Sequence, residues 1–217
     1  MENIKILKNE NSISIIGFSD AAKVIKIDGP KVKRLNDLLL HRMDLEFSEY
    51  CLNAINKVHK EENQLRQSLW RSAIVNYFKC FASNKSRSQL SEIRIYKSDS
   101  MALEIFTYFK NLRNKYFIHD ENSYTQSISG AILNQGNKSY KIEKLITLGI
   151  LGETLEDANF SNLSLLIKIA QRWVDHEYDV IAKDITRELE AIPYDELLKR
   201  EEVSFRISDI SKVDKER

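Results

Sequence analysis

Glycine and proline are scarce in this chain, and both are missing from residues 31–82, which strongly limits the folds available to it. The 217 residues contain only 6 glycines and 2 prolines. Sandwiches and barrels of many short strands need frequent turns, which these two residue types commonly supply. The composition therefore favours long helices, and the length suits one large domain or a domain with an appendage.

Apolar residues recur at intervals of three and four through the same region, a spacing typical of amphipathic helices. We predict a first helix from residue 31 to about 55, a break at residues 59–63, and a second helix that ends near residue 81. The predicted inward stripe of the first helix is Leu35, Leu38, Leu39, Met43, Leu45, Phe47, Cys51 and Ile55. Aromatic residues at helical spacing in the second helix indicate core packing rather than a base-stacking platform; they are Trp70, Tyr77, Phe78 and Phe81.

The remaining elements follow from caps and turn residues. Serine-rich residues 83–100 predict a loop, and Ser98-Asp99-Ser100 supplies the cap of a third helix that runs to about residue 118. Its predicted inward stripe is Met101, Ile105, Phe109, Leu112 and Tyr116. Two β-prone runs around Gln135-Gly136-Asn137 predict a hairpin at about residues 124–150. A last helix is expected at about residues 162–191, capped by Ser161 and ended by Pro193.

Together these patterns predict a mainly α protein, a four- to five-helix bundle with an N-terminal β element and a small β-hairpin insertion. The β element is predicted at residues 1–30, from the runs NIKIL, SISIIGF and KVIKI. The helical bundle is predicted at residues 31–192, and a charged tail at residues 193–217.

Charge and cysteine content narrow the functional classes. The net charge of +1 predicts no global basic field, so a nucleic-acid partner has to be inferred from local charge. Cys51 and Cys80 lie in apolar helical patterns and are expected to be buried thiols. We find no signal peptide, no apolar run long enough to span a membrane, no phosphate-binding glycine loop and no metal-ligand spacing. The expectation is a cytoplasmic soluble protein with no metal, no cofactor and no membrane partner.

The segment most suited to chemistry is Leu112-Arg113-Asn114-Lys115-Tyr116-Phe117-Ile118-His119-Asp120. An arginine followed by a polar residue, with a histidine six positions after the arginine, resembles the signature of the HEPN family (higher eukaryotes and prokaryotes nucleotide-binding domain). The surrounding residues resemble its abortive-infection branch, with a tryptophan-containing helix ending in a YFKCF-like stretch before the motif and an acidic, polar tail after it. The resemblance covers about residues 31–190 in architecture, and its specific part is the short motif.

The resemblance implies an endoribonuclease that acts as a homodimer through its motif helices. Its abortive-infection branch implies a toxin–antitoxin or phage-defence setting, with an antitoxin as partner. Arg113 would stabilise the phosphorane, Asn114 would orient the reacting groups, and His119 would transfer protons. These residue types suit the chemistry, since imidazole titrates near neutral pH and guanidinium matches phosphate oxygens. Attack by the 2′-hydroxyl needs no metal and is restricted to RNA.

Helix geometry sets a condition on this site. At about 100° per residue, Arg113 and His119 would lie roughly 120° apart around a straight α-helix and would not share a face. The helix must therefore distort or end before His119, or the two groups must converge from different subunits.

Local charge adds weaker candidates for RNA contact. Residues 79–119 carry a net charge of +5, and residues 175–217 carry −5. A basic groove for a phosphate backbone is one interpretation, with Lys110, Lys115 and Arg87 as contacts. The other interpretation is that these charges lie on a solvated surface and point in unrelated directions.

Three readings of the whole chain stay open beside the nuclease. One is a non-catalytic HEPN-like module that binds RNA, a nucleotide or a protein. Another is a plain helical scaffold in which Arg113 and His119 serve packing or capping. The third is a partner subunit of a nucleotidyltransferase.

Overall fold

The computed structural model describes residues 5–9, 12–16 and 23–204, with backbone only for the first two segments. Its elements, in chain order, are β1 (Lys5–Asn9), β2 (Ser12–Ile16), α1 (Pro30–Ile55), α2 (Asn63–Lys79), α3 (Glu92–Tyr96), α4 (Ser100–Leu112), a π-helical turn (Arg113–Ile118), β3 (Thr125–Leu133), β4 (Ile142–Leu151), α5 (Asp157–Glu190) and α6 (Tyr194–Leu198). The predicted mainly helical fold with a β-hairpin is confirmed. No helix in these described ranges combines the length and apolar character needed to cross a membrane.

The chain divides into two compact units. The first groups residues 1–40, 84–88 and 175–217, and the second groups residues 41–83 and 89–174. Helices α1 and α5 contribute residues to both units.

The first unit contains two small antiparallel pairings. Strands β1 and β2 pair with each other, as the alternating runs predicted. The predicted strand KVIKI is replaced by an isolated bridge between Ile25 and Glu202, because only the short stretch around residue 202 returns to pair with it. Predicted features in residues 17–22 and 205–217 lie outside the described residues.

The second unit is built around buried aromatic rings, as the spacing in α2 predicted. Trp70 is fully buried and meets Phe109 edge-on at 5.9 Å between ring centroids. The Phe106 ring lies among the rings of Tyr77, Phe78, Phe81 and Tyr96. These contacts fix α4 against α2, and α4 leads directly into the motif.

Several predicted inward residues are exposed instead. Leu38, Leu45, Cys51 and Ile55 of α1 are buried, but the exposed members of the predicted stripes are Leu39, Met43, Phe47 and Met101. The predicted stripes were wider than the faces that other elements cover. Cys51 and Cys80 are both buried free thiols, as expected, and burial raises the pKa of Cys51.

Helix α5 begins earlier than predicted. Asp157, not a residue after Ser161, opens it, because the Phe160 N–H already donates to the Glu156 carbonyl at 2.8 Å. Ser161 therefore lies inside the helix and caps nothing. The predicted cap of α4 is confirmed, since the Asp99 carboxylate accepts from the Ala102 N–H at 3.0 Å.

A buried pair of phenols links α2, α3 and α5. The Tyr96 hydroxyl donates to the Leu166 carbonyl at 2.9 Å and is also hydrogen-bonded to the Tyr77 hydroxyl. Burial raises the pKa of both phenols, so both remain protonated at neutral pH. Because the Tyr96 hydroxyl donates to Leu166, the Tyr77 hydroxyl is the donor to Tyr96. Tyr96 is therefore the middle group of this chain of hydrogen bonds.

We expect Tyr96→Phe to destabilise the protein by about 1–3 kcal/mol, because it leaves the buried Tyr77 hydroxyl without a partner. Tyr77→Phe should cost about 1 kcal/mol, because Tyr96 keeps its bond to Leu166. Urea unfolding followed by far-ultraviolet circular dichroism measures both. If Tyr96→Phe lowers the free energy of unfolding no more than Tyr77→Phe does, Tyr96 is not the middle group of the hydrogen-bond chain.

Candidate functional site

The motif lies where α4 widens into a π-helical turn. Residues Arg113–Ile118 form the turn, and His119 ends it with φ −128° and ψ 3°. Asp120 has a positive φ of 45°, and the Glu121 N–H donates back to the Lys115 carbonyl at 2.6 Å. Of the alternatives left open by the spacing, the structure shows a helix that distorts into a π turn and ends before His119. Single π-helical turns inside α-helices are frequent at functional sites.

Aromatic packing holds the turn in place. Tyr116 is buried, and its hydroxyl donates to the Gly152 carbonyl at 2.8 Å. The Gly152 N–H donates to the Tyr124 carbonyl at 2.7 Å, and a Cβ atom at Gly152 would collide with the Tyr124 ring. Glycine at position 152 therefore allows the backbone after β4 to approach the ring of Tyr124, which packs on Tyr116.

Arg113 and Asn114 lie at the start of the turn and are both half-buried. The Arg113 Nη1 donates to the Asn114 Oδ1 at 2.8 Å. The Arg113 Nε is buried and has no hydrogen-bond acceptor among the described residues. A buried guanidinium donor without an acceptor costs free energy.

His119 is exposed at the opposite end of the turn. Its imidazole is therefore not enclosed in an apolar interior and is free to meet a ligand from solvent. The structure thus places the arginine and asparagine at the first turn residues and the histidine one residue after the last.

The three weaker candidates differ in exposure. Lys110 and Lys115 are exposed, and the Lys110 ammonium lies 6.0 Å from the Phe106 ring centroid. Arg87 is only 8% exposed and belongs to the first compact unit. The Arg87 side chain offers little surface to an RNA backbone, so burial argues against its predicted role.

A second arginine, not singled out from the sequence, packs on the π turn. The Arg71 guanidinium lies 5.3 Å from the Tyr116 ring centroid and 5.1 Å from that of Phe117. Its Nε is also buried without an acceptor among the described residues. The one signal for it in the sequence is a charged residue directly after Trp70, inside the helix whose aromatic residues form the core.

Arg71 lines a cleft of about 430 Å³ in the second unit. The rest of the lining is amide- and hydroxyl-rich: Asn63, Gln64, Gln67, Ser68, Tyr116, Leu151, Gly152 and Glu153. The Asn63 amide donates to the Glu153 carboxylate at 3.1 Å. Such a surface can accept and donate hydrogen bonds around a polar ligand that bears a negative charge near Arg71.

The described residues contain no group of three or more His, Cys, Asp and Glu side chains placed to hold a metal ion. The chain matches no family model, no curated protein and no solved structure.

Proposed function

We propose that the protein is an endoribonuclease of HEPN type that acts as a homodimer on RNA. The observation that carries the proposal is the π turn, which begins at Arg113 and Asn114 and ends immediately before the exposed His119. The half-buried Arg113 guanidinium, held by Asn114, places a permanent positive charge at this end of the turn, which suits an anionic ligand.

The proposed reaction is transesterification within RNA. The 2′-oxygen attacks the adjacent phosphorus, the O2′–P bond forms, and the P–O5′ bond breaks. A base accepts the 2′-hydroxyl proton, and an acid donates a proton to the departing 5′-oxygen. The products are a 2′,3′-cyclic phosphate and a free 5′-hydroxyl.

Each motif residue has a role in this reaction. Arg113 offsets the charge that develops on the phosphorane, Asn114 holds the Arg113 guanidinium in place, and His119 transfers the protons. Each chain contributes one motif histidine, His119, which can act as either the base or the acid at a given time. Two chains together would supply both groups at one cleavage site. Lys110 and Lys115, both exposed, suit contacts to the RNA backbone. This activity suits a role in toxin–antitoxin or phage-defence systems, in which an antitoxin would be the protein partner.

The test is cleavage of mixed-sequence RNA in the presence of EDTA, with the product ends identified by mass spectrometry. We expect 2′,3′-cyclic phosphate ends from RNA and no cleavage of DNA of the same sequence. Metal-dependent cleavage, or cleavage of the DNA, would overturn the proposal.

We expect Arg113→Lys to lower the cleavage rate by about 10–100-fold and Arg113→Ala by about 10²–10³-fold. Lysine keeps the charge but cannot present the planar fork to two phosphate oxygens. The loss should fall on kcat more than on KM, because the interaction strengthens as charge develops. Arg172→Lys, at an exposed position of α5, is the matched control. Equal rates for Arg113→Lys and wild type would contradict the assigned role.

A non-catalytic RNA- or nucleotide-binding module is the second candidate, and one feature favours it. The cleft beside Arg71 offers amide and hydroxyl groups to a polar, anionic ligand, and no histidine among the described residues lines it. Tight RNA binding without any cyclic phosphate product in the same assay would establish this alternative.

A further inference from the structure

The β3–β4 hairpin exposes an unusual amount of apolar surface. Every residue of both strands is exposed except Thr125. Leu145 is 75% exposed and Leu148 is 55% exposed. The hairpin is a two-stranded sheet, so neither of its edges pairs with a further strand among the described residues. Apolar residues concentrated in this way mark an interaction surface.

The pleat places five of the nine large apolar residues of the two strands on one face. The register pairs Ile128 with Leu148, Gly130 with Ile146, and Gln126 with Ile150. Ile132 belongs to the same face, together with its partner Lys144 near the tip. The five large apolar side chains of this face are Ile128, Ile132, Ile146, Leu148 and Ile150, and we call it the apolar face.

The opposite face has a different composition. Its centre carries Ser127, Ser129, Thr147 and Gly149, and its larger apolar residues lie toward the ends. Antiparallel sheets commonly have one face packed and one solvated, and this alternation follows that pattern. The alternation of residues in the hairpin is therefore typical of a sheet whose apolar face packs against a partner.

The two ends of the hairpin carry opposite charges. The tip carries three exposed lysines, Lys138, Lys141 and Lys144, together with Glu143, which is bonded to Lys138 at 2.6 Å. The base is flanked by five exposed acidic residues: Asp120, Glu121, Glu153, Glu156 and Asp157. Strands of this length separate tip from base by about 30 Å.

We infer that the apolar face binds the same face of a second copy of this chain, with the two hairpins running in opposite directions. A two-fold axis near the Gly130–Ile146 pair would place each basic tip beside the acidic base of the other copy. The parallel arrangement would instead place lysines against lysines and acidic residues against acidic residues. Charge complementarity therefore favours a second copy of this chain as the partner and an antiparallel arrangement of the two hairpins.

The size of the surface sets the strength of this dimer. A two-stranded face of this length has a projected area of about 300 Å², against about 800 Å² per partner in a standard stable interface. The hairpin contact by itself predicts a weak dimer, which dissociates more readily at high salt as its charge pairs are screened. This inference does not depend on the nuclease proposal, because variants confined to the hairpin and its base distinguish this contact from association through the motif helices.

The test is a charge exchange followed by sedimentation equilibrium. Lys141→Glu/Lys144→Glu makes both ends of the hairpin acidic, and Glu121→Lys/Glu153→Lys/Glu156→Lys leaves three basic and two acidic residues at the base. Each variant alone is expected to raise the dissociation constant of the hairpin contact, because like charges then face each other. An equimolar mixture is expected to form a heterodimer, because the acidic tip of one variant then faces the basic base of the other.

Apolar-face variants give an independent measurement. Ile128→Ser/Leu148→Ser should raise the dimer dissociation constant at least tenfold, while Thr147→Ser on the opposite face should leave it unchanged. Thermal melts followed by circular dichroism establish that each variant is folded. A wild-type chain that stays monomeric at 100 mM salt and about 100 μM protein, or a mixture that fails to form the heterodimer, would overturn the inference. Binding of the monomer to anionic phosphatidylglycerol vesicles through the same face would also overturn it, because a lipid surface would then be the occupant.

Discussion

His119→Ala is expected to lower the rate of RNA cleavage by about 10²–10⁴-fold, the usual contribution of a positioned proton-transfer group. His119 is exposed and follows directly after the π turn, so its removal disturbs no buried contact. The rate should be measured under single-turnover conditions in EDTA, so that binding and product release do not mask the chemical step.

The matched control for this prediction is His176→Ala, which removes another exposed imidazole, on α5. That variant is expected to cleave RNA at the wild-type rate. Circular dichroism and affinity for RNA should be unchanged in both variants. An equal loss of cleavage rate in both variants, or no loss in His119→Ala, would show that His119 takes no part in the reaction.

Trp70→Ala is expected to destabilise the protein by about 3–5 kcal/mol, the largest loss we expect from a single core substitution. The Trp70 side chain is fully buried against Phe109, and its indole N–H donates to the Thr154 hydroxyl at 3.0 Å. Truncation leaves a cavity and removes the partner of a buried hydroxyl. The free energy of unfolding in urea is the measurement.

Trp173→Ala provides the comparison, since Trp173 lies on α5 and is only partly buried. Its truncation should cost clearly less than that of Trp70. Similar losses at the two positions would mean that the aromatic cluster around Phe109 is not the stabilising centre of the second unit.

The helices were predictable because apolar spacing, the scarcity of glycine and proline, and the Asp99 cap all act locally along the chain. The errors arose where packing decides the outcome. Periodicity identified the stripe that contains Met43 and Phe47, but it could not show how much of that stripe other elements cover. Ser161 looked like a cap because its residue type suits one, although the helix had already begun at Asp157.

The local backbone of the candidate site was predictable in part for a similar reason. A shared face for Arg113 and His119 required a departure from α-helical geometry, and residues Arg113–Ile118 do depart from it. Arg71 could not be found in this way, because its stacking on Tyr116 and Phe117 depends on the approach of α2 to a segment 45 residues later. The hairpin was predicted as an element, but its uncovered apolar face became visible only in the structure.

The most direct test of the central claim compares RNA with 2′-O-methyl RNA of the same mixed sequence, in EDTA and at equal occupancy. The account predicts that both bind and that only the unmodified RNA is cut, giving 2′,3′-cyclic phosphate ends. Cleavage of both substrates would contradict attack by the 2′-hydroxyl, and binding of both without any cleavage would contradict catalysis at Arg113 and His119.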